Sequence, residues 1–351
     1  MASKRTASKK CGHALLSRRS LAILLLLAGA FTATGCAVTG GGLPTRADMR
    51  VLKSDENFEL VSLKSGQTVD DVARVFLGDE REAWQLYELN GPLADTTSEL
   101  IAVPRSPVNV TGVYQAFYRT VPILCYHQFT EAKHAEHRLE LASTDFEDQL
   151  RYLVEQGYQF LSFAEVEQIL AQERTVPAKS VVITIDDGYA SVYDIAWPLL
   201  KKYRAKATLF VYTDFVGGGA AMSWPQLREL QSSDLIEVES HGKSHHSLAR
   251  VKEDVDSRSY AERLKVELEG SEEVFSKRLG QMPQFMSYPY GNSSETIARM
   301  LNTDGYKLAA TVTRGPNGSF VDPFLLHRTM IFSDHSLDQF ATFLATEQPR
   351  R

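Results

Sequence analysis

The sequence has few cysteines and no long apolar run, and each absence excludes a class of protein. Its three cysteines are Cys11, Cys36 and Cys125, and the first two belong to an amino-terminal leader. The chain that remains after the leader has a single thiol, so a scaffold stabilised by internal disulfides is excluded. The most apolar stretch, residues 21–31, is too short to span a bilayer as a stable helix.

The sequence also lacks an excess of basic residues. It carries 38 Lys and Arg against 44 Asp and Glu, a formal net charge of −6. Removing the six basic residues of positions 1–36 leaves 32 basic against 44 acidic side chains, a net charge of −12. Such a chain repels phosphate backbones, so we exclude nucleic acid as the main partner. A neutral sugar polymer is compatible with this charge.

Residues 1–36 have the organisation of an export signal. Basic residues precede the apolar stretch, which ends in small residues and Cys36. The last four residues, Ala-Thr-Gly-Cys, resemble a bacterial lipobox. This resemblance implies that Cys36 is lipidated and anchors the protein to the cell envelope, on the periplasmic side of the outer membrane if the organism has one. The alternative is an ordinary signal peptide with an incidental cysteine. We expect residues 37–56 to form a flexible tether.

A small βααβ domain is predicted over residues 57–105. Thr68 and Asp71 form a capping box that opens its first helix, and alternating apolar residues form its two strands. The order resembles a LysM module, which implies binding to glycans that contain N-acetylglucosamine. The residues that carry this resemblance are Ser65-Gly66-Gln67-Thr68 and Asn90-Gly91. The alternative is a spacer that binds nothing. Residues 106–117 are predicted to be a linker.

Residues 118–351 are predicted to form an α/β domain, because strand patterns alternate with helix patterns. Its clearest strand is 181–185, a run of β-branched residues that predicts a strand buried on both faces. The run continues into Asp186, Asp187 and Gly188. Active sites of parallel sheets lie at the carboxyl ends of strands, so these carboxylates can serve as a metal ligand and a proton acceptor. A polar turn that caps a core strand is the alternative.

Two histidines form a second candidate group. His241 and His245 follow an alternating strand pattern over 236–240. Imidazoles at i and i+4 face the same way on a helical turn, a spacing that suits one metal ion. This spacing alone is common by chance. Together with a carboxylate, however, it would make a 2-His-1-carboxylate set with open positions for water and substrate.

Four motifs, in their order along the chain, resemble those of the polysaccharide deacetylases of the NodB-homology family, carbohydrate esterase family four. They are PILCYH (122–127), TIDDG (184–188), HGKSH (241–245) and YPYG (288–291). The first resembles the opening motif of the subgroup that includes poly-β-1,6-N-acetylglucosamine deacetylases. Ser287 stands where many members carry an arginine that holds the catalytic base, and Arg328 is a weak candidate to replace it. The resemblance implies a distorted, incomplete (β/α) barrel.

The resemblance also implies the chemistry of the site. An N-acetyl amide resists hydrolysis, so hydroxide must form at neutral pH, and a divalent metal lowers the pKa of its bound water. The implied metal ligands are Asp187, His241 and His245, and Asp186 is the implied general base. The backbone N–H of Tyr290 is the implied oxyanion donor. The predicted metal is zinc, with cobalt or nickel as alternatives for the same nitrogen and oxygen ligands.

The general acid and the polymer stay open at this point. His327, in a segment that loosely matches the family's Leu-x-His motif, and His127 are rival acids, and a structural histidine is a third interpretation. The βααβ domain favours peptidoglycan as substrate, whereas Tyr126-His127 favours an exopolysaccharide. An alternative function is a glycan-binding surface lipoprotein whose catalytic domain has decayed, although the intact acidic and histidine motifs argue against it.

Overall fold

A parallel sheet is the largest element of the structure, and it carries the candidate residues along one edge. The computed structural model describes residues 43–94, 99–106, 108–250 and 256–350. The predicted signal, Cys36 and the first part of the predicted tether lie outside the described residues. Leu43–Arg351 clusters as one unit. In the described part of the chain, no helix combines the length and the apolarity needed to cross a bilayer.

Residues 46–104, which we call the amino-terminal module, form a small sheet with two helices. The strands are β1 (Arg50–Ser54), β2 (Phe58–Ser62) and β3 (Leu100–Pro104), the helices are α1 (Val69–Phe76) and α2 (Ala83–Asn90), and short 3-10 helices cover Arg46–Asp48 and Glu80–Glu82. The expected strand–helix–helix–strand order is present from β2 to β3, which pair antiparallel. Thr68 and Asp71 form the expected capping box of α1.

The structure differs from the sequence analysis at the start of this module. Residues within the expected tether form β1, which pairs antiparallel with β2. All side chains of β1 are exposed, so the strand has no apolar alternation that a sequence pattern could reveal. Met49, just before it, is buried in the apolar cluster of the module. Backbone pairing and one buried side chain therefore order this segment.

The four strands over residues 117–142 follow one another without a helix, and from there to Ala310 strands and helices alternate, as expected. The strands are β4 (Phe117–Arg119), β5 (Ile123–Tyr126), β6 (Gln128–Thr130), β7 (Glu140–Ala142), β8 (Gln159–Leu161), β9 (Ser180–Asp187), β10 (Ala207–Val211), β11 (Ile236–Ser240), β12 (Phe285–Ser287), β13 (Leu308–Ala310), β14 (Thr329–Met330) and β15 (Glu347–Pro349). The helices are α3 (Ser143–Glu155), α4 (Phe163–Leu170), α5 (Trp197–Tyr203), α6 (Trp224–Gln231), α7 (Ser257–Leu279), α8 (Glu295–Asp304) and α9 (Leu337–Ala341). A π-helical turn, Val192–Ala196, precedes α5.

The main sheet has eight strands in the order β13-β12-β11-β10-β9-β5-β14, with β8 paired to the beginning of β9. All of its pairings are parallel. Residues 326–330 link the two outer strands of the sheet, because Leu326 bridges to Ala310 of β13 while Thr329 of β14 pairs with Leu124 of β5. The sheet is therefore a curled, incomplete barrel, as the family resemblance implied.

Strand β9 is an interior strand of this sheet, paired with β5, β8 and β10, and all of its residues are buried. Val181, Ile183 and Ile185 belong to one apolar cluster and Val182 to another. Successive side chains of a strand point to opposite faces, so both faces of β9 are covered. The prediction of a strand buried on both faces is confirmed, and its carboxyl end is held in a fixed position.

A buried arginine joins the amino-terminal module to the barrel. Arg119 of β4 is 6% exposed, and its Nη2 lies 2.7 Å from the Glu88 carboxylate of the module. Its guanidinium also lies 4.4 Å from the ring centre of Trp84 and 5.1 Å from that of Tyr114. Tyr114 is in the predicted linker, so this part of the linker packs between the module and the barrel.

Candidate active site

The two adjacent aspartates end β9 at the carboxyl edge of the barrel. Asp186 is 2% and Asp187 9% exposed. Asp187 has a φ of +76° and Gly188 one of +93°, a left-handed turn that the glycine adopts freely and the aspartate does not. A Cβ on Gly188 would lie 2.9 Å from Val211. The turn therefore requires glycine at position 188, and it directs the two carboxylates to different partners.

Asp187 meets the two histidines of the HGKSH motif. Its Oδ1 lies 3.5 Å from Nε2 of His241 and 3.3 Å from Nε2 of His245. This oxygen is buried and has no hydrogen-bond partner among the described residues. Burial opposes ionisation of Asp187, but the two imidazoles hold its pKa well below its usual range. An unpaired buried carboxylate oxygen beside two imidazole nitrogens fits a divalent cation.

The orientation of His241 supports the same interpretation. Its Nδ1 lies 2.7 Å from the carbonyl oxygen of Ser287. A carbonyl only accepts, so Nδ1 carries the proton and Nε2 presents its lone pair toward Asp187. Histidines that bind metals are typically held in this way by a backbone carbonyl or a carboxylate. The described residues include two groups whose donor atoms are close enough to hold a cation, Cys125 with His127 and Asp186, and Asp187 with His241 and His245. Asp186 of the first group is already paired with Arg328, so the second group fits a cation better.

The two histidines do not converge through a helical turn, and that part of the sequence analysis is wrong. The segment that follows β11 is an irregular loop. Gly242 has a φ of +81° and His245 one of +62°, so the backbone departs from helical geometry at both residues. The loop is held on one side by the segment after β10, where Asp214 N–H donates to the Lys243 carbonyl over 2.9 Å. We call residues 241–246 the histidine loop.

Asp186 points into a polar pocket built around Arg328, and its Oδ2 also lies 4.0 Å from Nε2 of His241. The two Nη atoms of Arg328 lie 2.8 Å from Oδ1 and 2.8 Å from Oδ2 of Asp186. Ser287 Oγ donates to Oδ2 over 2.9 Å and accepts from Arg328 Nη2 over 2.7 Å. Burial alone would raise the pKa of Asp186, but the Arg328 guanidinium outweighs it and lowers the pKa to about 2. Asp186 is therefore ionised and rigidly oriented.

Arg328 is the main residue that the sequence analysis undervalued. The position expected to carry the arginine holds Ser287, and Arg328 follows it by 41 residues along the chain. Arg328 is 1% exposed, and its Nε also donates to the Thr311 carbonyl. The available signal was a lone basic residue inside an apolar strand pattern. A buried guanidinium needs a charged partner, so that pattern predicts a buried carboxylate close to Arg328.

Tyr290, the implied oxyanion donor, lies beside the histidine loop. It has a φ of +59°, and its ring centre lies 4.7 Å from that of His245. The following Gly291 has no room for a side chain, since a Cβ there would lie 2.3 Å from Val312. Non-glycine residues in the left-handed region cluster at functional sites, and Asp187, His245 and Tyr290 all adopt it here.

The structure separates the two candidate acids. His127 follows β5, and one of its ring nitrogens, the Cys125 thiol and an Asp186 oxygen lie within 4.8 Å of one another. Burial lowers the pKa of His127, opposed by the charges of Asp186 and Asp187. His127 Nδ1 is buried and has no hydrogen-bond partner among the described residues. His127 therefore lies at the site.

His327 lies elsewhere, and the structure does not bring it to the aspartates. Its Nδ1 is 3.3 Å from the Thr313 carbonyl oxygen, and a side chain on Gly315 would strike its ring. Asn317 Nδ2 donates to the carbonyls of both His327 and Val121, so His327 sits near the amino end of β5. Neighbouring side chains of an extended segment face opposite ways, and Arg328 is the one that points toward the site.

Comparisons with known proteins agree with this geometry. The family model for polysaccharide deacetylases matches residues 173–309. YxkH of Bacillus subtilis, whose name places it among polysaccharide deacetylases, is 28% identical over 224 residues, which cover 64% of this chain and 76% of that protein. The poly-β-1,6-N-acetyl-D-glucosamine N-deacetylase of Escherichia coli K12 is 24% identical over 265 residues, covering 65% of this chain. The chain spans 39% of the length of that enzyme.

A solved structure shares the fold. The Streptococcus pyogenes deacetylase PplD, in complex with acetate, superposes with a TM-score of 0.56 at 27% identity. The match covers 64% of this chain and 98% of that one. The region matched by the family model contains both aspartates, the histidine loop and Tyr290. The chain therefore carries a domain of the polysaccharide deacetylase type, matched by the family model over residues 173–309.

Proposed function

We propose that the protein hydrolyses N-acetyl groups of a polysaccharide that contains N-acetylglucosamine, in a reaction that depends on a divalent cation. The observation that carries the proposal is the meeting of two unlike groups at one sheet edge. One is the ionised Asp186 held by Arg328, and the other is the Asp187, His241 and His245 cluster. The name of the E. coli relative supports poly-β-1,6-N-acetylglucosamine as the polymer.

The donor set defines what the cofactor would supply. A divalent cation held by Asp187, His241 and His245 would lower the pKa of a water molecule and polarise the acetyl carbonyl. One carboxylate and two imidazoles suit zinc, and cobalt or nickel fit the same ligands. His241 is pre-oriented for this role by the Ser287 carbonyl.

Asp186 is the proposed general base. It takes a proton from the attacking water as the water oxygen bonds to the carbonyl carbon of the N-acetyl group. Asp186 Oδ1 accepts from Arg328 Nη1 alone, whereas Oδ2 accepts from both Arg328 Nη2 and Ser287 Oγ. A carboxylate oxygen can accept two hydrogen bonds, so Oδ1 keeps a lone pair for the proton. The same contacts stop the carboxylate from rotating, so its remaining lone pairs are held in a fixed direction.

Two further groups complete the reaction. The Tyr290 N–H donates to the oxyanion of the tetrahedral intermediate, and loss of one such donor typically costs ~10²–10³ in rate. His127 donates a proton to the amine nitrogen as the carbon–nitrogen bond breaks. The products are acetate and a free amino group on the sugar. Burial lowers the pKa of His127 against the opposing charges of Asp186 and Asp187, and a lowered pKa makes the protonated imidazole a stronger acid.

The amino-terminal module and the leader extend the proposal. The module's strand–helix–helix–strand order supports a LysM-like glycan-binding role. Such a module would keep the enzyme near its polymer, and this favours peptidoglycan as the alternative substrate. Lipidation of Cys36 would anchor the exported protein to the cell envelope. A polymer pull-down with and without the module tests its glycan binding. Cell fractionation of the wild type and of Cys36→Ser tests the lipid anchor.

An acetate-release assay on three polymers tests the central proposal. The wild-type protein and Asp186→Asn are incubated with β-1,6-linked N-acetylglucosamine polymer, peptidoglycan and chitin oligomers, with bound metal measured in parallel. We expect acetate from the β-1,6 polymer, a rate loss of ~10²–10⁴ in Asp186→Asn, and similar metal content in both proteins. Tight binding of a polymer without any acetate release would instead support a glycan-binding surface lipoprotein.

A further inference from the structure

Helix α7 carries a buried carboxylate that faces the histidine loop. Glu267 is 4% exposed. Its Oε2 accepts hydrogen bonds from the backbone N–H of Lys243 over 3.1 Å and of Ser244 over 2.9 Å. Its Oε1 accepts from the Ser244 hydroxyl. Glu267 is one of the buried residues of α7, on the face that packs against the protein.

The loop needs such an acceptor because it is not helical. In a helix, N–H groups donate to carbonyls one turn earlier, and that turn orients side chains at i and i+4. The N–H groups of Lys243 and Ser244 donate to Glu267 instead. Buried N–H groups without partners are costly, and hydrogen bonds to a carboxylate are stronger than those to a neutral oxygen.

These bonds act on the residue that follows Ser244. His245 has a φ of +62°, a conformation that costs a non-glycine residue of order 1–3 kcal/mol and persists only when its surroundings impose it. Glu267 fixes the loop on the side of α7, and the segment after β10 fixes the Lys243 carbonyl on the other side. The backbone that leads into His245 is therefore fixed by hydrogen bonds on both sides.

We propose that Glu267 is a positioning residue that sets the affinity of the site for its cation. It acts by holding the histidine loop in the one conformation that aims the imidazole of His245 at Asp187. The inference rests on the proposed function only in that the Asp187, His241 and His245 cluster binds a divalent cation. Glu267 lies outside the four sequence motifs on which the proposed function rests.

Helix α7 also supplies a matched control. Glu269 lies on the same helix and carries the same charge, but it is exposed and lies 3.6 Å from Lys265 in an i,i+4 pair. Exposed pairs of this kind contribute little to stability. Glu269→Gln and Glu267→Gln therefore make the same change in formal charge on the same helix, and they differ in contact with the histidine loop.

The test is a titration of chelator-stripped, full-length protein with Zn²⁺ and Co²⁺, against a chromophoric competitor. Glutamine at position 267 keeps one acceptor oxygen but turns an NH₂ donor toward loop donors. We expect Glu267→Gln to bind both ions ~10–100-fold more weakly than wild type, the range typical of lost outer partners of metal ligands. Glu269→Gln should stay within about twofold of wild type, as surface substitutions usually do.

A set of outcomes separates this inference from the proposed function. If wild type binds neither ion, the proposed function fails. If wild type binds and Glu267→Gln binds equally well, the proposed function stands and the role of Glu267 is overturned.

Circular dichroism and thermal unfolding of the metal-free proteins show whether Glu267→Gln folds. Should it not fold, Ser244→Ala removes one loop contact while leaving the carboxylate paired with the two N–H groups. A several-fold weaker affinity in Ser244→Ala, with unchanged metal-free stability, supports the inference, and an unchanged affinity overturns it.

Discussion

A buried arginine lies at each end of the parallel strands, and the two arginines have different partners. At the carboxyl edge Arg328 donates hydrogen bonds from all three of its nitrogens, to Asp186, Ser287, Thr184 and the Thr311 carbonyl. Toward the amino edge Arg119 has one carboxylate partner and lies against the rings of Trp84 and Tyr114. Its Nε is buried and has no hydrogen-bond partner among the described residues.

This difference shows what a buried charge can indicate. Hydrogen bonds on every nitrogen orient a guanidinium and, through it, the carboxylate that it holds. Packing between aromatic rings fixes the position of a guanidinium but leaves its direction less specified. Burial of an arginine by itself therefore does not mark an active site. The proposed active site depends instead on a fully hydrogen-bonded pair beside an unpaired carboxylate, as with Asp186 and Asp187.

The largest expected effect comes from the unpaired carboxylate at the carboxyl edge. Asp187→Asn removes the charged member of the cation cluster, so we expect loss of stoichiometric metal and a rate loss greater than the ~10²–10⁴ typical of a lost proton-transfer group. Metal analysis and acetate release measure both. Asp234→Asn is the control, because Asp234 is exposed and precedes β11 at the amino edge. Full metal content in Asp187→Asn would contradict the assignment.

The second prediction compares histidines at the two edges. His127→Gln should lower kcat by ~10²–10⁴, as expected for loss of a general acid, with metal content unchanged. His327→Gln should leave kcat within about twofold of wild type, because surface changes away from a site are usually small. Steady-state kinetics on the β-1,6 polymer measures both. A large loss in His327→Gln alone would reverse the two roles.

The third prediction concerns the hydrogen-bonded arginine. Arg328→Met leaves Asp186 buried without its partner, and breaking a buried pair in this way costs about 3–5 kcal/mol. Urea denaturation measures the loss. Asp186→Asn combined with Arg328→Met should recover part of it, because no charge is then left unpaired.

Arg328→Met should also change the pH profile. The guanidinium lowers the pKa of Asp186 to about 2, so its removal raises that pKa. At a given acidic pH a smaller fraction of Asp186 is then ionised, and the acid limb of kcat/KM moves to higher pH. An acid limb that stays in place would show that Asp186 is not the base.

The smallest expected effect on activity comes from the packed arginine. Arg119→Met retains an apolar side chain between Trp84 and Tyr114 and loses the bond to Glu88. We expect the free energy of unfolding to fall by about 1–3 kcal/mol, the size of a charged hydrogen bond with its cation–π contacts. The value of kcat/KM should stay within about twofold. A folded Arg119→Met protein with strongly reduced activity would break the contrast between the two edges.

Much of the chain could be predicted locally. The β-branched run of β9, the capping box of α1 and the alternation of strands with helices depend on neighbours in sequence, and the structure contains them. The convergence of Asp187, His241 and His245 followed from their places at carboxyl ends of parallel strands. Parallel strands in one sheet bring those ends together regardless of the loops between them.

Other features depended on contacts that no local pattern contains. Strand β1 has only exposed side chains, and it forms because β2 offers a free edge. The histidine loop is not helical, and Glu267 of α7 accepts hydrogen bonds from the N–H groups of Lys243 and Ser244. His127 lies at the site because it follows β5 directly, whereas the pairing of β14 with β5 leaves His327 near the amino end of β5.

The sequence by itself determined the strand ends at which chemistry takes place and the residue types present there. Only the tertiary structure decided which distant side chains complete that chemistry. Arg328 reaches Asp186 because the last segment closes against β5, and Glu267 reaches the histidine loop because α7 packs beside it. Backbone propensity acts between neighbours, whereas the pairing of buried charges is settled by which surfaces meet when the sheet curls.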